Sequence, residues 1–397
     1  MATTPWLTSD DLIDIVKKRI SFPISQNTLS EEDILKFASY ELFDSQVPSI
    51  MEYHEEFFVF THEYVLETDK LRYQIPDRAV GMTIRDVFLK SADGNLREMT
   101  RISPENKAYF QQAGSTNNDI YRFYIESDDI VLTNRNVYPN GQSLVITYYL
   151  RPNSLVKNER AAIATYFTKT ITVSNTSLVS GDSVTIGSTT LEAGVDFSIG
   201  ANSNVTASNL SNAINSSGII STVSTNQITV KTKQQSTTYT TTNDASFVIQ
   251  TGLGIEFSSI PTNIENGSVI DFLQTKGGHR TYKIGYELAS NAISSNIINF
   301  PTGVIPSNFV VGDYICLENE SIIPQIPSDL HSLLAEKTCS RILMSLGDQA
   351  GLQTSSLKIA ELERKQATIV DNRVEGAPVK LVNKNALLRL QKKTRRW

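Results

Sequence analysis

Cysteine, histidine and long apolar runs are all scarce in this chain of 397 residues. The only cysteines are Cys316 and Cys339, and two cysteines cannot form a disulfide framework, which indicates a reducing or redox-indifferent setting. No run of 18 apolar residues occurs, so we expect no membrane span. The first residues, MATTPWLTSDDLIDIVKKRI, lack the apolar core of a signal peptide.

Motifs that carry catalysis are also missing from the sequence. It contains no G-x-S-x-G elbow, no Walker loop and no G-x-G-x-x-G after a strand. His54 and His62 are eight residues apart, whereas a helical zinc site needs two histidines four residues apart. We therefore expect a protein that is not an enzyme, with no catalytic, cofactor-binding or metal-binding residues.

Acidic residues are absent from the last part of the chain. The whole chain has 36 basic and 42 acidic residues, yet all 42 acids lie at or before Glu375. Seven Lys and Arg follow Gly376, so the rest of the chain has 29 basic residues and a net charge of −13. The sequence thus combines an acidic body with a basic C-terminal tail.

The tail allows three interpretations. It could be a solvated terminus, a contact for nucleic-acid phosphates, or a segment that docks on an acidic protein surface. An acidic body would repel DNA, and aliphatic residues alternate with the bases, so we favour docking. The predicted docking residues are Val379, Lys380, Leu381, Val382, Lys384, Leu387, Leu388, Arg389, Leu390, Lys392, Lys393, Arg395, Arg396 and Trp397.

The patterning of the remaining chain predicts an α+β fold. Thr8 or Ser9 and then Ser30 are placed to cap two helices, and Pro48 starts a third. Residues 62–150 form short runs rich in β-branched and aromatic residues, with Asp93-Gly94 and Asn140-Gly141 as turn signals. The N-terminal region is therefore predicted to hold helices followed by short antiparallel strands.

Composition changes near residue 168. Residues 170–250 are rich in Ser, Thr and Asn and carry six charged residues. Gly turns separate strand-like runs, and TASNLSNAINSSG predicts one helix with Leu210 and Ile214 on a face and Gly218 as its end. We interpret this as a β-rich module inserted into a host domain, with a low-complexity linker as the alternative.

Two long helices are predicted near the C-terminus. Ser328 or Asp329 is placed to cap the first, and Gly347 ends it. The second covers about residues 354–374. Because the loop between them is short, we expect an antiparallel pair.

Several of these segments resemble the head–tail adaptor (connector, or neck ring) proteins of tailed bacteriophages. The N-terminal block LTSDDLIDIVKKRISFPISQNTLSEEDILKFASYELFDSQVPSIMEYHEEFFVF and the later runs YQIPDRAVGMTIRDVFL, FYIESDDIVL and LVITYYLRPNSLV carry the resemblance. So does the closing block that begins ENESIIPQIPSDLHSLLAEKTCSRILMSLGDQAGL. The resemblance covers residues 8–165 and 315–385, and the inserted module lies outside it.

The resemblance implies a structural virion protein at the head–tail junction, made in the bacterial host cytoplasm. It implies a homo-oligomeric ring of twelve copies that binds the portal protein through its C-terminal segment and receives tail or nozzle proteins. Genomic DNA would pass through the ring without sequence recognition, and no membrane would be involved. The alternatives are a nucleic-acid-binding or packaging-associated protein and a tail or baseplate subunit.

These expectations divide the chain into four parts. Residues 1–167 would form the helical and β adaptor region, and 168–300 the inserted module. Residues 301–375 would complete the adaptor core with strands and the helix pair, and 376–397 would form the portal-docking tail.

Overall fold

The computed structural model describes residues 6–20, 29–67, 70–106, 122–133 and 141–370. Helices and mainly antiparallel strands both occur, so the predicted α+β class is confirmed. The described residues divide into two compact units: residues 6–47 with 150–360, and residues 48–149 with 361–370. Among the described helices, none is both long and apolar enough to cross a bilayer.

The described helices are α1 Ser9–Arg19, α2 Glu31–Glu41, α3 Val47–Tyr53, α4 Ser203–Ser216, α5 His331–Leu346 and α6 Gln349–Val370. The strands of the second unit are β1 Val59–Val65, β2 Arg72–Gln74, β3 Ala79–Lys90, β4 Leu96–Glu98, β5 Thr100–Arg101, β6 Arg122–Glu126, β7 Asp129–Leu132 and β8 Ser143–Leu150, whose last residue is assigned to the first unit. The remaining strands are β9 Ser154–Leu155, β10 Ala162–Val173, β11 Ser183–Ile186, β12 Thr189–Glu192, β13 Ile220–Ser224, β14 Gln227–Thr232, β15 Tyr239–Thr241, β16 Phe247–Ile249, β17 Leu253–Phe257, β18 Val269–Leu273, β19 Thr281–Glu287, β20 Ile293–Ser294, β21 Ile297–Phe300, β22 Tyr314–Leu317 and β23 Glu320–Ser321.

The first two helices begin at the predicted caps. Thr8 caps α1 and Ser30 caps α2, each through a capping box with the aspartate three residues later. In each box the hydroxyl accepts from a backbone N–H that would otherwise lack a partner, and the aspartate accepts from the cap residue's own N–H. These reciprocal hydrogen bonds fix where both helices start.

The C-terminal helices form the predicted antiparallel pair, with one correction at its start. A 3₁₀ turn over Ser328–Leu330 precedes α5, which begins at His331 without a side-chain cap, so the predicted capping by Ser328 or Asp329 is wrong. Gly347 ends α5 in the left-handed conformation, with φ of 75°, as predicted. Ser355 on α6 donates to the Glu336 carbonyl on α5, as expected for antiparallel neighbours.

The largest sheet of the first unit is organised around the long strand β10. Its main order is β19-β18-β22-β10-β17-β21-β20, and β14 and β16 also pair with β10. One core forms between the first part of β10 and the strands β17, β18, β21 and β22, with Phe167, Phe272 and Phe300 among its members. Burial of these rings stabilises the sheet because apolar area leaves water.

The serine- and threonine-rich segment has a core of its own. Ile171 and Val173 of β10 pack with α4 and with Phe247, and Leu210 and Ile214 of α4 are fully buried there, as predicted. Because β10 crosses residue 168, this one strand contributes side chains to both cores. The strands at residues 253–300 pack in the core that contains Phe167, not in the core that contains Leu210.

The second unit contains two four-stranded sheets. Their orders are β1-β8-β3-β4 and β2-β7-β6-β5, and each predicted strand-like run between residues 62 and 150 forms a strand. Gly94 takes φ of 81° in the turn between β3 and β4, which a glycine allows without steric cost.

Candidate assembly surfaces

Neither cysteine has the environment of a nucleophile. Both thiols are buried, Cys316 on β22 and Cys339 on α5. Burial raises the pKa of Cys339 to about 12 and also raises the pKa of Cys316, so both thiols are protonated at neutral pH. They act as small apolar groups in the interior.

His54 and His62, the two histidines that are eight residues apart in the chain, have separate aromatic neighbours. His54 lies after α3, with its ring 5.9 Å from that of Phe57, and His62 lies on β1 with its ring 4.4 Å from that of Tyr64. Partial burial lowers the pKa of His62. Within the ranges that the structure describes, no group of three or more His, Cys, Asp or Glu is arranged to hold a metal ion.

The other two histidines meet in the interior of the first unit, which the sequence did not indicate. His279 and His331 are buried, and their ring centroids are 5.2 Å apart. Trp6 meets His279 edge to face, with 5.7 Å between centroids. Leu7 N–H donates to Nδ1 of His331 at 3.0 Å, and Nε2 of His331 lies 3.2 Å from the Ile326 carbonyl. A separation of 52 residues in the chain gives no signal for such a pair.

Exposed apolar residues lie on the helices of the first unit. Met344 and Leu346 on α5 and Leu357 on α6 are 66%, 52% and 77% exposed. On α2 the ring of Tyr40, also exposed, lies 5.9 Å from the guanidinium of Arg341, which forms an ion pair with Glu41. The helices thus present exposed apolar side chains, and the charge of Arg341 beside Tyr40 is already paired.

A second exposed apolar region lies on turns of the module. Val179 and Val195 are more than half exposed and belong to two turns held together by hydrogen bonds. Gly181 N–H donates to the Ala193 carbonyl at 2.9 Å, and the Ser180 hydroxyl donates to the same carbonyl at 3.3 Å. These contacts hold the two turns that carry the valines next to each other.

The predicted docking residues, from Val379 to Trp397, all lie outside the described residues. The prediction that they bind a partner therefore stays a prediction.

Comparisons with known proteins give little further information. No family model matches the chain, and no curated protein matches it. One solved structure found by the comparison is that of the D1–D2–D3 domains of the flagellar cap protein FliD from Escherichia coli. It is 10% identical, with 89% of this chain and 76% of that chain covered, and the TM-score of 0.17 carries no argument about fold or function.

Proposed function

We propose that the protein is a structural component of a tailed-phage virion, a ring-forming adaptor between the portal and the tail, rather than an enzyme. The observation that carries the proposal is the exposed apolar set on the helix pair, Met344, Leu346 and Leu357. The resemblance of the N-terminal and C-terminal blocks to head–tail adaptors supports it. So does the division of charge between an acidic body and a basic tail.

Lateral contacts between copies would close the ring. A ring needs a heterologous contact, in which one surface of a copy meets a different surface of the next copy, and a rotation that returns to the start. Stable contacts of this kind usually bury more than about 1,000 Å² of total surface. The exposed side chains of α5 and α6 would supply the apolar centre of one such surface.

The tail would attach the ring to the portal. Its aliphatic residues would contribute roughly 25 cal/mol for each Å² of apolar surface that they bury. Each exposed ion pair with a portal carboxylate would add only about 0–1 kcal/mol to the binding free energy. The basic residues would therefore mainly steer the tail toward the portal and fix its alignment there. Leu387, Leu388 and Trp397 should therefore matter more for affinity than any single base.

Charged substitutions on the helix pair test the lateral contact. We expect Met344→Asp with Leu357→Asp to prevent ring formation on purified portal rings, because two carboxylates would need to be desolvated in each contact. Particle images and particle mass give the readout, and circular dichroism checks folding. The control, Val179→Asp with Val195→Asp, places the same charges on the module and should leave the ring intact. Equal ring formation by both double variants would contradict the assignment of the helix pair.

Nucleic-acid binding is the second candidate, and the seven bases after Gly376 favour it. A DNA-binding tail predicts affinity for free DNA that falls steeply with salt, with a slope of about −0.9 for each phosphate neutralised. The adaptor proposal predicts little affinity for free DNA at physiological salt. A filter-binding titration at two salt concentrations separates the two functions.

A further inference from the structure

The hydrogen bonds of His331 define its protonation state in neutral solution. Nδ1 accepts from Leu7 N–H, so the ring hydrogen is on Nε2, which faces the Ile326 carbonyl. A second proton could bind only at Nδ1, where it would face the Leu7 N–H. Protonation therefore replaces the hydrogen bond to Leu7 with two opposed donors.

The neighbouring histidine makes a positive charge still less favourable. His279 is fully buried, and none of the described residues makes a hydrogen bond of ordinary geometry to its ring nitrogens, although the Thr275 backbone faces the ring. The pKa of each histidine is lowered to about 4, mainly by burial, and the proximity of His279 contributes to the lowering for His331. Two imidazolium rings 5.2 Å apart would also repel each other.

In the part of the chain that the structure describes, no carboxylate shifts the pKa of either ring. The charged side chains next to the pair in the chain are Lys276 and Arg280 around His279, and Asp329 before His331. Asp313 accepts from the Thr275 N–H at 2.9 Å, which orders the loop before His279. The other titratable groups near Trp6 are Tyr314 and Cys316, whose core cluster it packs against, and both are neutral in the interior.

We propose that Trp6, His279 and His331 form an acid-sensitive clasp, which holds Trp6 and Leu7 at neutral pH and releases them when His331 takes up a proton. The inference does not depend on the proposed function. The released segment would carry Trp6 away from the histidines. Ser9 would stay attached, because its N–H donates to the Ile322 carbonyl at 2.8 Å and neither group titrates.

The direction of the pH effect follows from proton binding. An unclasped histidine has a pKa near 6.5 and binds a proton more readily than the clasped ring, whose pKa is about 4. The clasp is therefore fully formed above pH 6.5 and weakens as the pH falls toward 4. For His331 alone, the ratio of open to closed clasp should rise roughly 40-fold between pH 6.5 and 4.5.

Amide hydrogen exchange of the full chain tests the clasp. We expect the protection factor of the Leu7 amide, corrected for intrinsic rates, to fall roughly 40-fold over this pH range while that of Ser9 stays unchanged. In a Trp397→Phe background, the emission of Trp6 should shift to the red over the same range. His331→Asn keeps an acceptor near the Nδ1 position but cannot titrate, so it should keep Leu7 protected at pH 4.5.

A direct titration of the imidazoles by NMR keeps the test decisive if His331→Asn folds poorly. The clasp requires His331 to titrate below pH 5 in the wild-type chain. A pKa near 6.5, or a loss of protection at Leu7 and Ser9 together with global unfolding, would overturn the proposal.

Discussion

At the scale of single residues, Asp271 on β18 is a buried carboxylate with donors from several segments. It is fully buried, and its carboxylate accepts from Asn153 Nδ2 at 2.8 Å, Gly285 N–H at 2.9 Å and Asn319 N–H at 3.2 Å. These donors join β18 to three other segments of the first unit. A carboxylate with several donors can be buried at acceptable cost, but its removal leaves the donors unsatisfied.

We predict that Asp271→Ala lowers the free energy of unfolding by roughly 2 kcal/mol, because the buried Asn153 amide and the less buried N–H groups of Gly285 and Asn319 lose their acceptor. Denaturant titration of the purified variant measures the change. The control is Asp93→Ala in the exposed turn after β3, which should change stability by less than about 0.5 kcal/mol. Similar values for the two variants would show that the Asp271 contacts contribute little.

Sequence reasoning at this scale succeeded where a side chain acts on its own local backbone. The caps at Thr8 and Ser30 and the helix end at Gly347 were predictable, because each depends on residues within four positions. The meeting of His279 and His331 and the contacts of Asp271 depend on segments far apart in the chain. Such contacts follow from the fold, and periodicity alone does not give them.

At the scale of elements, β10 explains why the module boundary was hard to place from sequence. Its residues up to Phe167 belong to one core, and Ile171 and Val173 belong to the other. The change in composition near residue 168 follows the second core, but the strand itself continues. Hydrophobic periodicity and composition therefore predicted the strands and helices. They did not predict which core each strand belongs to.

We predict that residues 171–249 can be replaced by an Asn-Gly turn without loss of the remaining fold. Gln250 N–H donates to the Thr170 carbonyl at 2.9 Å, so the two ends of the excised segment already meet. The excision removes the core around Leu210 and leaves the core around Phe167. Circular dichroism and a single cooperative thermal transition give the readout.

A longer excision that ends at residue 300 is the matched control. It removes Phe272 and Phe300 from the core that contains Phe167, and we expect it to prevent folding. If the shorter excision also fails to fold, the module is an integral part of the first unit.

At the scale of the whole molecule, the sequence combines an acidic body with a tail of seven bases and six aliphatic residues. A tail that only contacted phosphates would not need the aliphatic residues, whereas a tail that docks in a protein groove would bury them. Ordering such a segment on binding costs conformational entropy, which the buried apolar area must exceed.

The most direct test of the adaptor proposal is a co-sedimentation assay with portal rings of the same virion. We compare the full chain, a truncation after Gly376, Leu387→Ala with Leu388→Ala, and a matched Lys392→Gln with Lys393→Gln. The account predicts that the full chain binds in a fixed ratio, that the truncation and the leucine pair fail to bind, and that the lysine pair binds with modest loss. Binding by the truncated chain, or a larger loss from the lysine pair than from the leucine pair, would contradict it.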